Sequence, residues 1–134
     1  MKIVTILLLA VLLASACKKE KHAPDLTGTY TGLFNAIPLH PTAQPGDPSP
    51  VQLIISGNDF NSGTGPDFIT VGGGSVGVSA GILNFIDLQV FPQNTSINTS
   101  AVLHDNYSYT VKGDSLLLSK TTLDVTYTYK FKKQ

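Results

Sequence analysis

The sequence predicts an all-β domain, a small antiparallel up-and-down barrel of about eight or nine strands, with a β-sandwich as the alternative. Three observations lead there. Residues 122–131 alternate, with Leu123, Val125, Tyr127, Tyr129 and Phe131 on one side and Thr122, Asp124, Thr126, Thr128 and Lys130 on the other. Gly, Asn, Asp and Pro interrupt the apolar runs at short intervals. Beyond residues 1–16, no window combines a helical period with helix caps.

In chain order, residues 26–34 set Thr27, Thr29 and Thr31 against Gly28, Tyr30, Gly32 and Phe34. Glycines beside large aromatics indicate a strand that bends or passes close to another backbone. Further strands are expected at 51–55, 68–71, 76–83, 85–91 and 99–103. Tyr107, Tyr109 and Val111 alternate with polar residues, and Gly113-Asp114 supplies a tight hairpin into Leu116–Leu118. With 122–131 this makes a closing meander. Residues 35–50 carry Pro38, Pro41, Pro45, Pro48 and Pro50, which resist both helix and sheet. A loop this long is expected either as an inert connector or as a lid or docking element over one mouth.

The amino terminus has a different character. Lys2 precedes an apolar run from Ile3 to Leu13, broken by Thr5. Eleven residues make a helix of roughly 16 Å, about half of a bilayer's hydrocarbon core. The pattern is that of a secretory signal peptide. An ordinary signal peptide would be cut after Ala16 or nearby and leave a free thiol on Cys17.

Ala14-Ser15-Ala16-Cys17 resembles the bacterial lipobox, with Ala14 where Leu is usual. The resemblance implies cleavage between Ala16 and Cys17 and acylation of Cys17. Two or three acyl chains anchor a protein where one alone would be marginal. An acylated Cys17 leaves no thiol for a disulfide, a zinc site or a nucleophile, since it is the only cysteine. The chain then divides into a leader (1–16), a lipidated cysteine with a short basic tether (17–25) and a β-barrel domain (26–134). Eight residues of tether, Lys18 to Asp25, reach at most about 29 Å. Lys18-Lys19-Glu20-Lys21 resembles the surface-export signal of Bacteroidota lipoproteins, and it reads equally as a solvated tether.

"LTGTYTG", "VGVSAGILNFIDLQVF" and "GDSLLLSKTTLDVTYTYKF" are similar to segments of the small lipocalin-like lipoproteins of Bacteroidota. That resemblance implies an up-and-down barrel, no catalytic residues, and a place in the cell envelope, at the outer membrane, facing the periplasm or the cell surface.

Charge narrows the function further. From His22 to Val111 there is no Lys or Arg, while six aspartates lie there; from Lys112 onward five lysines face Asp114 and Asp124. Arginine is absent, so an Arg-built phosphate clamp is impossible. Nucleic-acid binding wants a basic stripe with stacking aromatics, and the acidic body excludes it.

Several motifs match only by letter. Gly73-Gly74-Ser75-Val76-Gly77 spells G-x-S-x-G, with Asp87 and His104 in hydrolase order, but the strand-like residues after Ser75 deny it a strand-to-helix elbow. Gly72, Gly74 and Gly77 spell G-x-G-x-x-G without a following helix. Asp59-x-Asn61-x-Gly63 begins like a calcium loop and lacks its fifth and twelfth ligands, so a polar turn is expected. His22, His40 and His104 have no metal-ligand spacing. Asp114-Ser115-Leu116 resembles the O-glycosylation acceptor of Bacteroidota exported proteins, which implies a glycan on Ser115, and it also serves as a hairpin turn.

The expectation is a non-enzymatic, membrane-anchored domain without cofactor or metal. It binds a small apolar or glycan ligand inside the barrel or at its mouth, or else acts as a structural or accessory partner of an envelope protein.

Overall fold

The structure, a computed structural model, describes residues 22–92 and 96–134. The leader, the Ala16–Cys17 junction and Lys18–Lys21 lie outside the described residues. The chain forms a closed antiparallel barrel in the order β1 to β8, each strand paired with its sequence neighbour and β1 with β8. The strands are β1 (Gly28–Pro38), β2 (Ser49–Ser56), β3 (Asp59–Ser62), β4 (Gly73–Ser79), β5 (Ile82–Asp87), β6 (Asp105–Lys112), β7 (Ser115–Thr121) and β8 (Val125–Lys133). This is the up-and-down, lipocalin-like barrel, not the sandwich.

Period-two alternation decides which residues fill the interior. Tyr30 and Phe34 on β1, Val51, Leu53 and Ile55 on β2, Leu116 and Leu118 on β7, and Tyr129 and Phe131 on β8 all point inward and are buried. Closure brings β1 against β8 with Gly32 opposite Phe131. A Cβ on Gly32 would stand 2.0 Å from the Lys130 carbonyl oxygen, so only glycine permits that approach. The close passage expected of 26–34 is present.

The strands' up-and-down course sorts the connections. At one end the chain turns through Gly57-Asn58, Ala80-Gly81 and Gly113-Asp114, and both Leu26 and Gln134 lie there. Gly113 takes φ +60°, the left-handed conformation that such a hairpin requires. At the opposite end run 39–48, 63–72, 88–92 and 96–104, with the shorter 122–124. Leu26 is buried beneath Tyr30, whose hydroxyl donates to the Leu26 carbonyl at 2.8 Å. The core runs from Leu26 to Phe131, so the barrel closes on itself within that span.

Several local expectations need correction. Residues 68–71 are not a strand: only Ile69 bridges to Val51, in parallel, as the segment crosses the loop end. Residues 99–103 are a 3₁₀ turn, Thr99–Ala101, capped by the Asn98 side chain, which accepts from the Ser100 amide. Residues 76–83 and 85–91 break instead at Ala80-Gly81, and β5 stops at Asp87, whose carboxylate takes the Gly73 and Gln89 amides. Asp59-x-Asn61 is no turn. It is β3, where Phe60 alone faces inward, too short a run to show a period. The final strand begins at Val125, because Thr122 and Val125 close a turn that leaves Leu123 94% exposed. Residues 35–50 also contribute more strand than their prolines suggest. Pro38 ends β1 and Pro50 lies in β2, leaving 39–48 as the loop.

Candidate functional site

Aromatic rings fill the interior. Phe60 meets Phe85 at 5.0 Å between centroids, Phe85 meets Tyr107 at 5.8 Å, and Tyr107 meets Tyr129 at 5.7 Å. Tyr129 then contacts Phe34 at 4.9 Å and Phe131 at 5.8 Å, and Phe131 reaches Tyr30 at 6.4 Å. The first three contacts are edge-on, the geometry that ring quadrupoles favour. This chain of rings crosses the barrel from β3 to β1. The space a ligand would occupy in an open barrel is taken by side chains.

At the loop end the segment after Asn98 acts as a plug. Ala101, Val102 and Leu103 are buried, and the Leu103 amide donates to the Val71 carbonyl at 2.9 Å. The Tyr129 hydroxyl donates to the Ala101 carbonyl at 2.9 Å. Burial pushes that hydroxyl far above the usual tyrosine range and raises that of Tyr107 as well.

Above the plug lies a mouth pocket of about 330 Å³, lined by Thr99, Ser100, His104, Tyr107, Lys120, Thr122 and Tyr127. Lys120 is its organising charge. Its ammonium donates to the Asp105 carboxylate at 2.9 Å and to the His104 carbonyl at 3.3 Å, and lies 5.5 Å from the centre of the Tyr107 ring. The hydrogen bond from Lys120 holds the Asp105 carboxyl below its ordinary value. Asp105 has φ +66°, the one non-glycine residue in the left-handed region among the described residues. Such conformations cost free energy and cluster at functional sites. A second, wider groove of about 510 Å³ opens at the same end between β3, β4 and the 63–70 loop, with Phe68, Thr70, Leu88 and Gln89 on its walls.

The residues matched by letter do not assemble. Ser75 lies in β4 opposite Asp59 and Ile86. Asp87 is bound to the Gly73 and Gln89 amides, and the His104 ring to the Val102 carbonyl. No hydrogen bond links the three among the described residues. The glycines at 72–74 lead into β4, not into a helix. His40 pairs with Asp124 at 3.1 Å across the loop end, and His22, the first described residue, is exposed. Ser115 begins β7 at the tight-turn end, exposed, with its hydroxyl 3.5 Å from the Asp114 carboxylate. Cys17 and Ala16 lie outside the described residues.

The sequence reading missed the mouth pocket. Its signal was a lysine at an inward-parity position of β7, Lys120, two residues after the buried Leu118. Comparison with family models, curated proteins and solved structures found no match.

Proposed function

We propose that this chain is a non-catalytic, lipid-anchored protein of the bacterial cell envelope, at the outer membrane, that works as an accessory interaction module and presents its loop end to an envelope partner. The observation that carries the reading is the ring-filled interior. With that space occupied, recognition falls to the rim. There Leu39, Leu88, Val90 and Leu123 are 50–94% exposed, on the end away from the tether. Exposed loops on a rigid scaffold are where binding residues concentrate. The anchoring part rests on Ala14-Ser15-Ala16-Cys17 and its lipobox resemblance.

A second reading, a small polar ligand such as a glycan at the mouth, draws on the Lys120–Asp105–Tyr107 pocket. Cross-linking in intact envelopes separates the two. Shortening 39–48 and replacing Leu123 with Ser should remove the cross-linked partner, with the barrel's thermal midpoint preserved. Partner capture that survives those changes but is lost with Lys120→Met would favour the mouth. Anchoring is tested by Cys17→Ser, which should release the protein from membranes. A wild-type intact mass without acyl chains would defeat that part.

A further inference from the structure

We infer that the tight-turn end of the barrel, with the adjoining β6–β7–β8–β1 wall, lies against an anionic lipid surface and holds the loop end away from it. This deepens the membrane anchoring proposed above and rests on it for the tether alone.

The lysines are not spread around the barrel. All five of the described residues, Lys112, Lys120, Lys130, Lys132 and Lys133, belong to β6, β7 and β8. The opposite wall, β2 to β5, carries Asp59 and Asp87 and no lysine. Charge also separates along the axis. Toward the tight turns, Lys112, Lys130, Lys132 and Lys133 accompany Asp25, Asp59 and Asp114. Toward the loops, Lys120 alone faces Asp47, Asp67, Asp87, Asp105 and Asp124. An anionic surface attracts the first end and repels the second.

Register shows which lysines can reach such a surface. Lys132 pairs with Thr31 on one side and Ser115 on the other, and Ser115 pairs with Lys112, so Lys112 and Lys132 share one outward row. In the next row Lys130 sits between Leu33 and Leu117, which are 48% and 41% exposed. A lysine flanked by exposed leucines suits a headgroup region, where the ammonium meets phosphate and the apolar flanks meet the acyl boundary. The Lys132–Asp114 contact, 3.7 Å between exposed groups, is too weakly held to withdraw Lys132.

The tether meets this same end. The described chain enters at Leu26, beside Lys133 and Asp114. Cys17 to Asp25 spans at most about 29 Å, and the basic Lys18, Lys19 and Lys21 lie within it. Each lysine close to an anionic leaflet contributes roughly a fivefold gain in partitioning.

The test uses residues 17–134, which contain the whole closed barrel. Cys17 is the only thiol, so it can be coupled chemically to a maleimide lipid in preformed vesicles. Amine acylation is followed residue by residue by mass spectrometry on phosphatidylglycerol-containing and on pure phosphatidylcholine vesicles. Lys112, Lys130 and Lys132 should react several-fold more slowly on the anionic vesicles, and high salt should remove the difference. His40, at the loop end, should react with diethyl pyrocarbonate at the same rate on both. The double change Lys112→Gln and Lys132→Gln should abolish the protection of Lys130. Equal lysine rates on the two vesicles would overturn the inference and leave these lysines to an acidic protein. Protection of His40 would overturn it too, by placing the loop end on the lipid. Because the coupling is chemical, neither result depends on whether Cys17 is acylated in the cell.

Discussion

The two ends of the barrel solve the same problem by different means. At the tight-turn end the strands pass directly into one another through Gly57-Asn58, Ala80-Gly81 and Gly113-Asp114, and Leu26 seals the interior from below Tyr30. At the loop end the strands splay into 39–48, 63–72 and the segments 88–92 and 96–104, and the interior is sealed by a plug borrowed from the last of these. The first end is built from backbone geometry, the second from side chains and a few long-range hydrogen bonds. Sequence variation is therefore cheap at the loop end's rim and costly in its plug. The tight-turn end tolerates little change in its turns.

The largest expected effect tests the plug. Leu103→Ala should cost about 2–5 kcal/mol in urea unfolding, the range for emptying a buried leucine site. Tyr129→Phe should cost about 1–3 kcal/mol, because it leaves the buried Ala101 carbonyl without its donor. A cost below about 1 kcal/mol for both would show that the loop end is not sealed in this way.

The next effect is alkaline. An unfolded tyrosine ionises near pH 10, whereas burial keeps Tyr107 and Tyr129 protonated above that. The folded chain thus binds these protons more tightly than the unfolded chain. Stability should be full below about pH 10 and fall above it, by about 1.4 kcal/mol per pH unit for each tyrosine still protonated in the fold. Chemical unfolding at several alkaline pH values should show this slope, and Tyr107→Phe with Tyr129→Phe should reduce it to the part that Tyr30, also raised by burial, contributes.

The smallest effect compares the ends directly. Gly113→Ala forces a side chain into φ +60° and should cost about 1–2 kcal/mol. Gly46→Ala meets open space in the 39–48 loop and should change stability by no more than about 0.5 kcal/mol, or raise it slightly. Thermal midpoints of the two variants sharpen the contrast, and equal losses would erase it.

What could be read from the sequence follows the same division. The closing meander was legible because Tyr127, Tyr129 and Phe131 alternate with small and charged residues over a long run. Gly113-Asp114 announced its own turn, and Gly28 and Gly32 announced a close passage. The loop end was not legible. Thr99–Leu103 looks like a strand because Val102 and Leu103 are apolar, yet their burial comes from tertiary docking under Val71, which no local period reports. Phe60 marks β3 with a single inward residue. The mouth pocket depends on Asp105, Lys120 and Tyr107 meeting across β6 and β7, a coincidence of register and a left-handed residue rather than a motif. Filling of the barrel could be suspected from the aromatic residues but required the ring geometry to be seen.

The position of β1 has a mechanical consequence. The described chain enters β1 at Gly28, and β1 pairs with β2 over Gly28–Phe34 and with β8 over Tyr30–Pro38, with the Gln134 amide also bound to the Thr29 carbonyl. A load between the proposed amino-terminal anchor and the proposed partner at the loops would run parallel to the strands. Ladder hydrogen bonds lie across that direction, so they would be loaded in shear, many at once, and not peeled apart one by one. Such a barrel resists a pull along its axis far better than a pull on its carboxyl terminus away from the wall, where β8 could unzip from Lys133 onward.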